Sequence, residues 1–247
     1  MRLIKMILSG MLLFAGTSSV FAGEDSAKTR FLYVRHGEVP GNDPNPAVYI
    51  STGSGTDDFL TEKGREQAAE CAKTISALQK NGTFGKITAI YTSDLKRAVE
   101  TAEPIAQELG LDVQVRHDLR EIYWGCADGQ LVQKMTEEWA TVEHQVKQQY
   151  PERKVRWDYL PVFEGAETFN ALLNRTLVEL KKIADEHPGE TVLIIGHGRV
   201  LKTLIAEARD SEEKGPYPPN CGITEFTYSP DEGLRFIQVL DKNLSSK

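Results

Sequence analysis

The sequence predicts an α/β domain with a mainly parallel sheet and helices on both faces. Two observations carry that prediction. Short apolar runs alternate with amphipathic helical stretches through most of the chain, the pattern of consecutive strand–helix–strand units. Two of the apolar runs, RFLYVR (30–35) and ETVLIIGHG (190–198), also end abruptly in polar chemistry. Strands do this when they deliver side chains to the carboxyl edge of an open sheet.

Taken in order, RFLYVR reads as the first strand, and GNDPNPAVYISTGSGTDD (41–58), rich in Gly, Pro, Asn and Ser, as a long loop. TEKGREQAAECAKTISALQK (61–80) places apolar residues at helical spacing behind Thr61, a good helix-capping residue. KITAIYTS (86–93) is the second strand and DLKRAVETAEPIAQELG (94–110) the helix after it, with Gly110 placed to end it. LDVQVR (111–116) is a short strand. Residues 130–150 are helical in pattern but strongly polar, as an exposed insertion would be. ETFNALLNRTLVELKKIADEH (167–187) is amphipathic, the 190–198 strand follows, and RVLKTLIAEA (199–208) is helical. Two last strands, ITEFTYS (223–229) and LRFIQVL (234–240), are joined by the turn signal PDEG. With no repeat, low-complexity tract or linker to divide them, residues 23–247 are expected to form a single domain, with insertions near 41–59 and 126–165.

Residues 1–22 have a different character. Arg2 and Lys5 precede the apolar run MILSGMLLFAG, and Val20 and Ala22 flank Phe21 at the end of the segment. This reads as a secretory signal peptide cut after Ala22, since the apolar run is shorter than the roughly 20 residues of a membrane span. A periplasmic or secreted protein with no membrane association after cleavage is the expectation. Losing Arg2 and Lys5 takes the formal charge from −7 to −9. So acidic a chain excludes general nucleic-acid binding, and any phosphate site has to come from a local cluster of cations. Cys71, Cys126 and Cys221 have no metal-ligand spacing, and an exported chain permits one disulfide among three pairings that the sequence does not choose between.

Four strand ends carry reactive residue types: Arg35 and His36, then TSDLKRA, LREIYWG and GHG. The fold expectation gathers Arg35, His36, Arg97, Glu121 and His197 at one edge. Two guanidiniums would repel a metal ion but suit a phosphoryl group, to which arginine offers forked and always-charged donors. A neutral imidazole can attack phosphorus to give a covalent intermediate, and a carboxyl group can protonate the leaving oxygen and then activate water. The glycines beside each histidine leave room for a bulky anion to approach. Cys126, beside LREIYWG, reads as buried or disulfide-bonded rather than nucleophilic. His117, His144 and His187 read as solvent-exposed, STGSG (51–55) as a mobile loop, and Arg153, Lys154 and Arg156 as a solvated charged face. Glu38 competes with Glu121 for the acid role.

These residues resemble the histidine phosphatase superfamily in its phosphoglycerate-mutase-like branch. VRHGE, LTEKGREQA (60–68), TSDLKRAVETA (92–102), LREIYWG (119–125) and LIIGHG (193–198) match five motifs of that family in order. The resemblance implies a three-layer α/β/α sandwich and a small phosphorylated substrate, with no metal or organic cofactor. It implies His36 as the nucleophile, Arg35, Arg97 and His197 as phosphoryl ligands, Glu121 as proton donor and Asn42 as a phosphate-pocket contact. Hydrolysis of phosphomonoesters is the expected activity. The alternatives are mutase-type phosphotransfer, which export disfavours, and a non-catalytic phosphate-ligand binding or interaction module. Two departures stand out. Val39 replaces a residue that is usually Ser or Thr, and the link from His36 to Leu60 is about ten residues longer than usual, an insertion that costs little in chain entropy. The RHGxRxP and HD motifs of the other branch are absent.

Overall fold

A computed structural model describes residues 27–42, 50–135, 163–209 and 216–240, together with 137, 141, 144 and 148. Residues 1–22, residues 43–49 of the loop read at 41–58, much of the polar helical stretch read at 130–150, and Arg153, Lys154 and Arg156 lie outside the described residues.

The strands are β1 (Thr29–Arg35), β2 (Ile87–Thr92), β3 (Val113–Val115), β4 (Thr191–Gly196), β5 (Ile223–Ser229) and β6 (Gly233–Leu240). They form one sheet in the order β3-β2-β4-β1-β5-β6. The first four run parallel, whereas β5 is antiparallel to β1 and β6 to β5. The helices are α1 (Glu62–Lys80), α2 (Lys96–Leu109), α3 (Phe169–Glu186) and α4 (Gly198–Ala208). This is a central sheet between helical layers, as expected.

Alternation along the strands assigns each face. In β1, Phe31 and Tyr33 join the core under α3 and α4, while Leu32 and Val34 join the core under α1 and α2. β4 divides in the same way, Val192 and Ile194 to one side and Leu193 and Ile195 to the other. Both central strands are buried on both faces, which is why they read as unbroken apolar runs. In β2 the pairing with β4 shifts between Ile87 and Ala89, so Ile87 and Ile90 share a face although they are three positions apart.

The predicted helix signals act as read. Thr61 accepts the Gly64 N–H at 3.0 Å to cap α1, and Gly110 ends α2 in the left-handed region at φ 66°. Val39 is buried in the apolar cluster with Leu60 and Ala68, so at this position packing takes the place of a hydroxyl. His187 departs from its expected exposure. Its ring is mostly buried, with Nδ1 2.8 Å from Glu190 and Nε2 2.9 Å from the Tyr91 hydroxyl. His117 and His144 are exposed.

Candidate active site

β1 and β4 lie side by side and parallel, so the residues that follow them meet at one edge. The rings of His36 and His197 are 5.4 Å apart between centroids. His36 is 3% exposed and His197 fully buried. The Nδ1 of His36 lies 2.7 Å from the Gly37 carbonyl, which can only accept, so Nδ1 carries the proton and Nε2 keeps its lone pair. At His197 the Nε of Arg97 donates to Nδ1 at 3.3 Å, so the ring proton sits on Nε2, 2.7 Å from Ser93 Oγ. Burial holds both imidazoles well below their ordinary pKa, and Arg97 and Arg35 push His36 further down. Both rings are therefore neutral at physiological pH.

The family motifs have direct physical explanations. A Cβ on Gly37 would lie 2.5 Å from the Gly64 carbonyl oxygen, and a Cβ on Gly64 would lie 2.2 Å from the Glu38 carbonyl oxygen. The turn after β1 and the first turn of α1 thus pack backbone against backbone. Gln67 Oε1 accepts the Glu38 N–H at 2.9 Å, and Thr101 accepts the Gly37 N–H at 3.0 Å while donating to the Arg97 carbonyl. Near His197, a Cβ on Gly196 would fall 2.0 Å from the Tyr33 hydroxyl, which accepts the His197 N–H at 2.9 Å. A Cβ on Gly198 would fall 2.4 Å from the Tyr217 hydroxyl. The space beside these glycines, expected to admit an anion, is filled by the protein itself.

Arg97 is fully buried. Besides its bond to His197, its Nη1 donates to the Thr56 carbonyl at 3.0 Å and its Nη2 to Thr52 and Gly53 at 3.2 and 3.0 Å. STGSG is thus part of a clamp on Arg97 rather than a loose loop. That clamp is held in turn by the segment after Glu121. Ser54 N–H donates to the Ile122 carbonyl, Ser51 N–H to the Gln130 carbonyl, and Asp128 Oδ2 accepts the N–H groups of Gly55 and Trp124. Burial pushes the Arg97 guanidinium down from its ordinary value, opposed first by Glu121 and then by Asp58, Asp57 and Asp128.

Arg35 stacks 4.9 Å from the Tyr217 ring centroid, and its buried Nε has no hydrogen-bond partner. A buried donor left open in this way is suited to receiving an anion. Glu121 accepts three backbone N–H groups: Ile122 and Val200 on Oε1 at 2.9 and 3.2 Å, and Arg199 on Oε2 at 2.8 Å. It therefore lies at the N-terminus of α4, beside His197, where a helix favours negative charge. Glu38 points elsewhere, to Thr61 at 3.1 Å and Lys63 at 2.6 Å, and does not compete for this place. Asn42 reaches the site at one remove. Asn220 Nδ2 donates both to its Oδ1 at 3.3 Å and to the His36 carbonyl at 2.9 Å.

Several residues at the site went unread in the sequence. Tyr33, Asn220 and Arg175 support the turns. Arg175 donates to the carbonyls of Asp118, Arg120 and Glu121, and so fixes the segment that carries the carboxylate. Ser93 was within reach of inference, because it directly follows β2 at the same edge. Asn220 was not, since its position follows from β5 running antiparallel to β1. Cys221, next to it, adopts φ 57° and donates to the Arg35 carbonyl at 2.8 Å. All three cysteines are free thiols; Cys71 and Cys221 are buried, whereas Cys126, expected to be buried or bridged, is exposed.

Comparison with known proteins supports the same reading. Residues 31–238 match the family model of the histidine phosphatase superfamily (branch 1). Phosphoglycerate mutase-like protein 4 of Arabidopsis thaliana is 32% identical over 209 residues, 84% of this chain and 83% of that protein. A metal-independent phosphoserine phosphatase of the same plant is 29% identical, covering 77% of this chain and 73% of its own. Among solved structures, a phosphoserine phosphatase mutant of Entamoeba histolytica in complex with phosphoserine superposes with a TM-score of 0.68 at 21% identity, over 89% of this chain and all of that one. These relatives support a phosphatase enzyme. The chain belongs to branch 1 of the histidine phosphatase superfamily.

Proposed function

We propose that the chain hydrolyses phosphomonoesters without a metal ion, through a phosphohistidine on His36. The observation that carries this reading is the tautomer of His36, whose Nδ1 proton is committed to Gly37, leaving Nε2 free to attack. In the first step Nε2 bonds to phosphorus and the ester P–O bond breaks. Glu121 passes a proton, taken from the substrate's phosphoryl monoanion, to the departing oxygen. In the second step Glu121 takes a proton from water as the water attacks phosphorus, and phosphate leaves. Arg35, through its open Nε, and His197, whose Nε2–H would exchange Ser93 Oγ for a phosphoryl oxygen, stabilise charge on the phosphoryl group. Arg97 contributes its charge and the orientation of His197, because four of its five N–H groups are already engaged by the protein. Asn42 and Asn220 line the approach.

The test is His36→Ala. Turnover of phenyl phosphate should fall by roughly a thousandfold or more while the circular dichroism spectrum is retained. Labelled substrate should leave acid-labile phosphate on His36 of the wild type. Label on Cys126 or on a serine instead would sink the mechanism. The mutase-like relative favours one second reading, in which the phosphohistidine passes its phosphoryl group to another hydroxyl. Release of inorganic phosphate in step with substrate loss separates the two. Residues 1–22 are proposed to direct export, in which case the mature chain begins at Gly23. An intact N-terminus on protein recovered from the producing cells would count against that.

A further inference from the structure

Arg30, Arg35, Arg97, Arg116, Arg120, Arg175 and Arg199 are the described arginines that are buried or half-buried. Four of them pair with carboxylates: Arg30 with Glu225, Arg116 with Glu179, Arg120 with Asp94 and Arg175 with Glu167. Three have no carboxylate partner among the described residues, and all three are at the site. Arg35 and Arg97 belong to the phosphoryl cradle. Arg199 has no role in the chemistry proposed above.

Its position is specific. Arg199 follows His197 by two residues, and its backbone N–H donates to Glu121 Oε2 at 2.8 Å. Its guanidinium carbon lies 5.3 Å from the Trp124 ring centroid and 5.7 Å from that of Phe169. Stacking of this kind fixes the plane of the fork and leaves the N–H edge available. Trp124 borders Gly53, whose carbonyl holds Arg97: a Cβ on Gly53 would lie 2.6 Å from Trp124 Cδ1. Arg199 therefore stands on the Glu121 side of the site, against the wall that the Arg97 clamp continues.

If Glu121 protonates the leaving oxygen, that side is where the alcohol part of the substrate lies. We propose that Arg199 is a specificity-determining residue that binds a second oxyanion, carboxylate or phosphate, carried by the leaving group close to the ester oxygen. The assignment rests on the phosphatase reading and narrows its substrate class to dianionic-headed or acid-bearing phosphomonoesters. A half-buried guanidinium needs a counter-charge, and a forked donor on an aromatic platform matches a two-oxygen acceptor.

Matched substrate pairs test it in the full chain. Phosphoserine differs from phosphoethanolamine by one carboxylate, and ethylene glycol bisphosphate differs from the monophosphate by one phosphate. Wild type should prefer the acidic member of at least one pair, and which pair tells carboxylate from phosphate. Arg199→Gln should shrink that kcat/KM ratio by about tenfold or more, mainly through KM, and Arg199→Lys should restore part of it. A wild-type ratio near one for both pairs, or a ratio that Arg199→Gln leaves unmoved, overturns the assignment. Failure of the wild type to hydrolyse even phenyl phosphate would sink the phosphatase reading itself, a separate outcome from loss of the preference alone.

Discussion

The cradle around His36 and His197 and the wall formed by residues 50–59, 121–131 and Arg199 adjoin each other but are built differently. In the cradle, glycine backbone packs on backbone or on a buried hydroxyl. Gly37 lies on Gly64, Gly64 on Glu38, and Gly196 on the Tyr33 hydroxyl, with no room for a Cβ at any of the three. The wall has one such contact, where a Cβ on Gly125 would fall 2.1 Å from the Glu164 carbonyl oxygen, but its other groups are held by side chains: three carbonyls around one guanidinium, two N–H groups on Asp128, and an arginine on two rings. A close-packed backbone has no second arrangement, so the reacting atoms are fixed at the cost of any freedom to vary. Loops held by side chains can change one residue at a time. The difference teaches that in this molecule the chemistry is rigid and recognition adjustable.

The strongest way to break the contrast is Gly64→Ala. A methyl 2.2 Å from one backbone atom and 2.9 Å from another can be accommodated only by moving the turn that carries His36. A loss of about 3 kcal/mol in denaturant unfolding is expected, with turnover of every substrate falling together. A stable variant with normal rates would mean that the turn has slack after all.

Acidification ranks next, and its sign follows from the two histidines. Both have pKa values lowered well below 6.5 in the folded chain. Above pH 6.5 they are neutral whether folded or not and contribute nothing. As pH falls below 6.5, the unfolded chain takes up protons that the folded site refuses, so stability is lost until the folded pKa values are reached. Each histidine should cost on the order of 1 kcal/mol per pH unit in that window. Urea titrations between pH 7 and 5.5 measure this directly. A double variant with both histidines replaced by glutamine should flatten the profile, and an equally steep profile in that variant would place the effect elsewhere.

Asp128→Ala gives the smallest effect and acts on the wall alone. It removes the acceptor shared by Gly55 and Trp124, at a cost of about 1 kcal/mol, and loosens the clamp on Arg97. KM should rise several-fold with the unfolding midpoint little changed, and Asp128→Asn, which keeps an acceptor oxygen, should recover most of the loss. A large loss of stability would show the wall to be as integral to the fold as the cradle.

Legibility in the sequence follows the same division. The strand beginning at Ile223 was read to the residue, and the helices after Thr61 and before Gly110 to within a residue or two, because caps and alternation are local. Arg35, His36, Arg97, Glu121 and His197 were readable as one group because parallel strands send their carboxyl ends to one edge. His187, STGSG and the glycines flanking the histidines were misread, each because its partner lies far along the chain: Tyr91 for His187, Arg97 for the loop, Gly64 and Tyr33 for the glycines.

By itself, then, the sequence determined the order of strands and helices, their caps, and the residue types delivered to the reactive edge. These depend on periodicities of two and 3.6 residues and on the residues next to each turn. Only the tertiary structure decided which imidazole nitrogen is free, that loop carbonyls occupy most of Arg97, that Asn220 arrives in the turn leading into the antiparallel β5, and that Arg199 stands beside Glu121 with its guanidinium paired to no carboxylate among the described residues. Apart from the His36 tautomer, which Gly37 sets from the next position, these facts depend on contacts between residues tens to more than a hundred positions apart. Local patterning has no means of recording them, because the same pattern is compatible with many neighbours and only packing selects one.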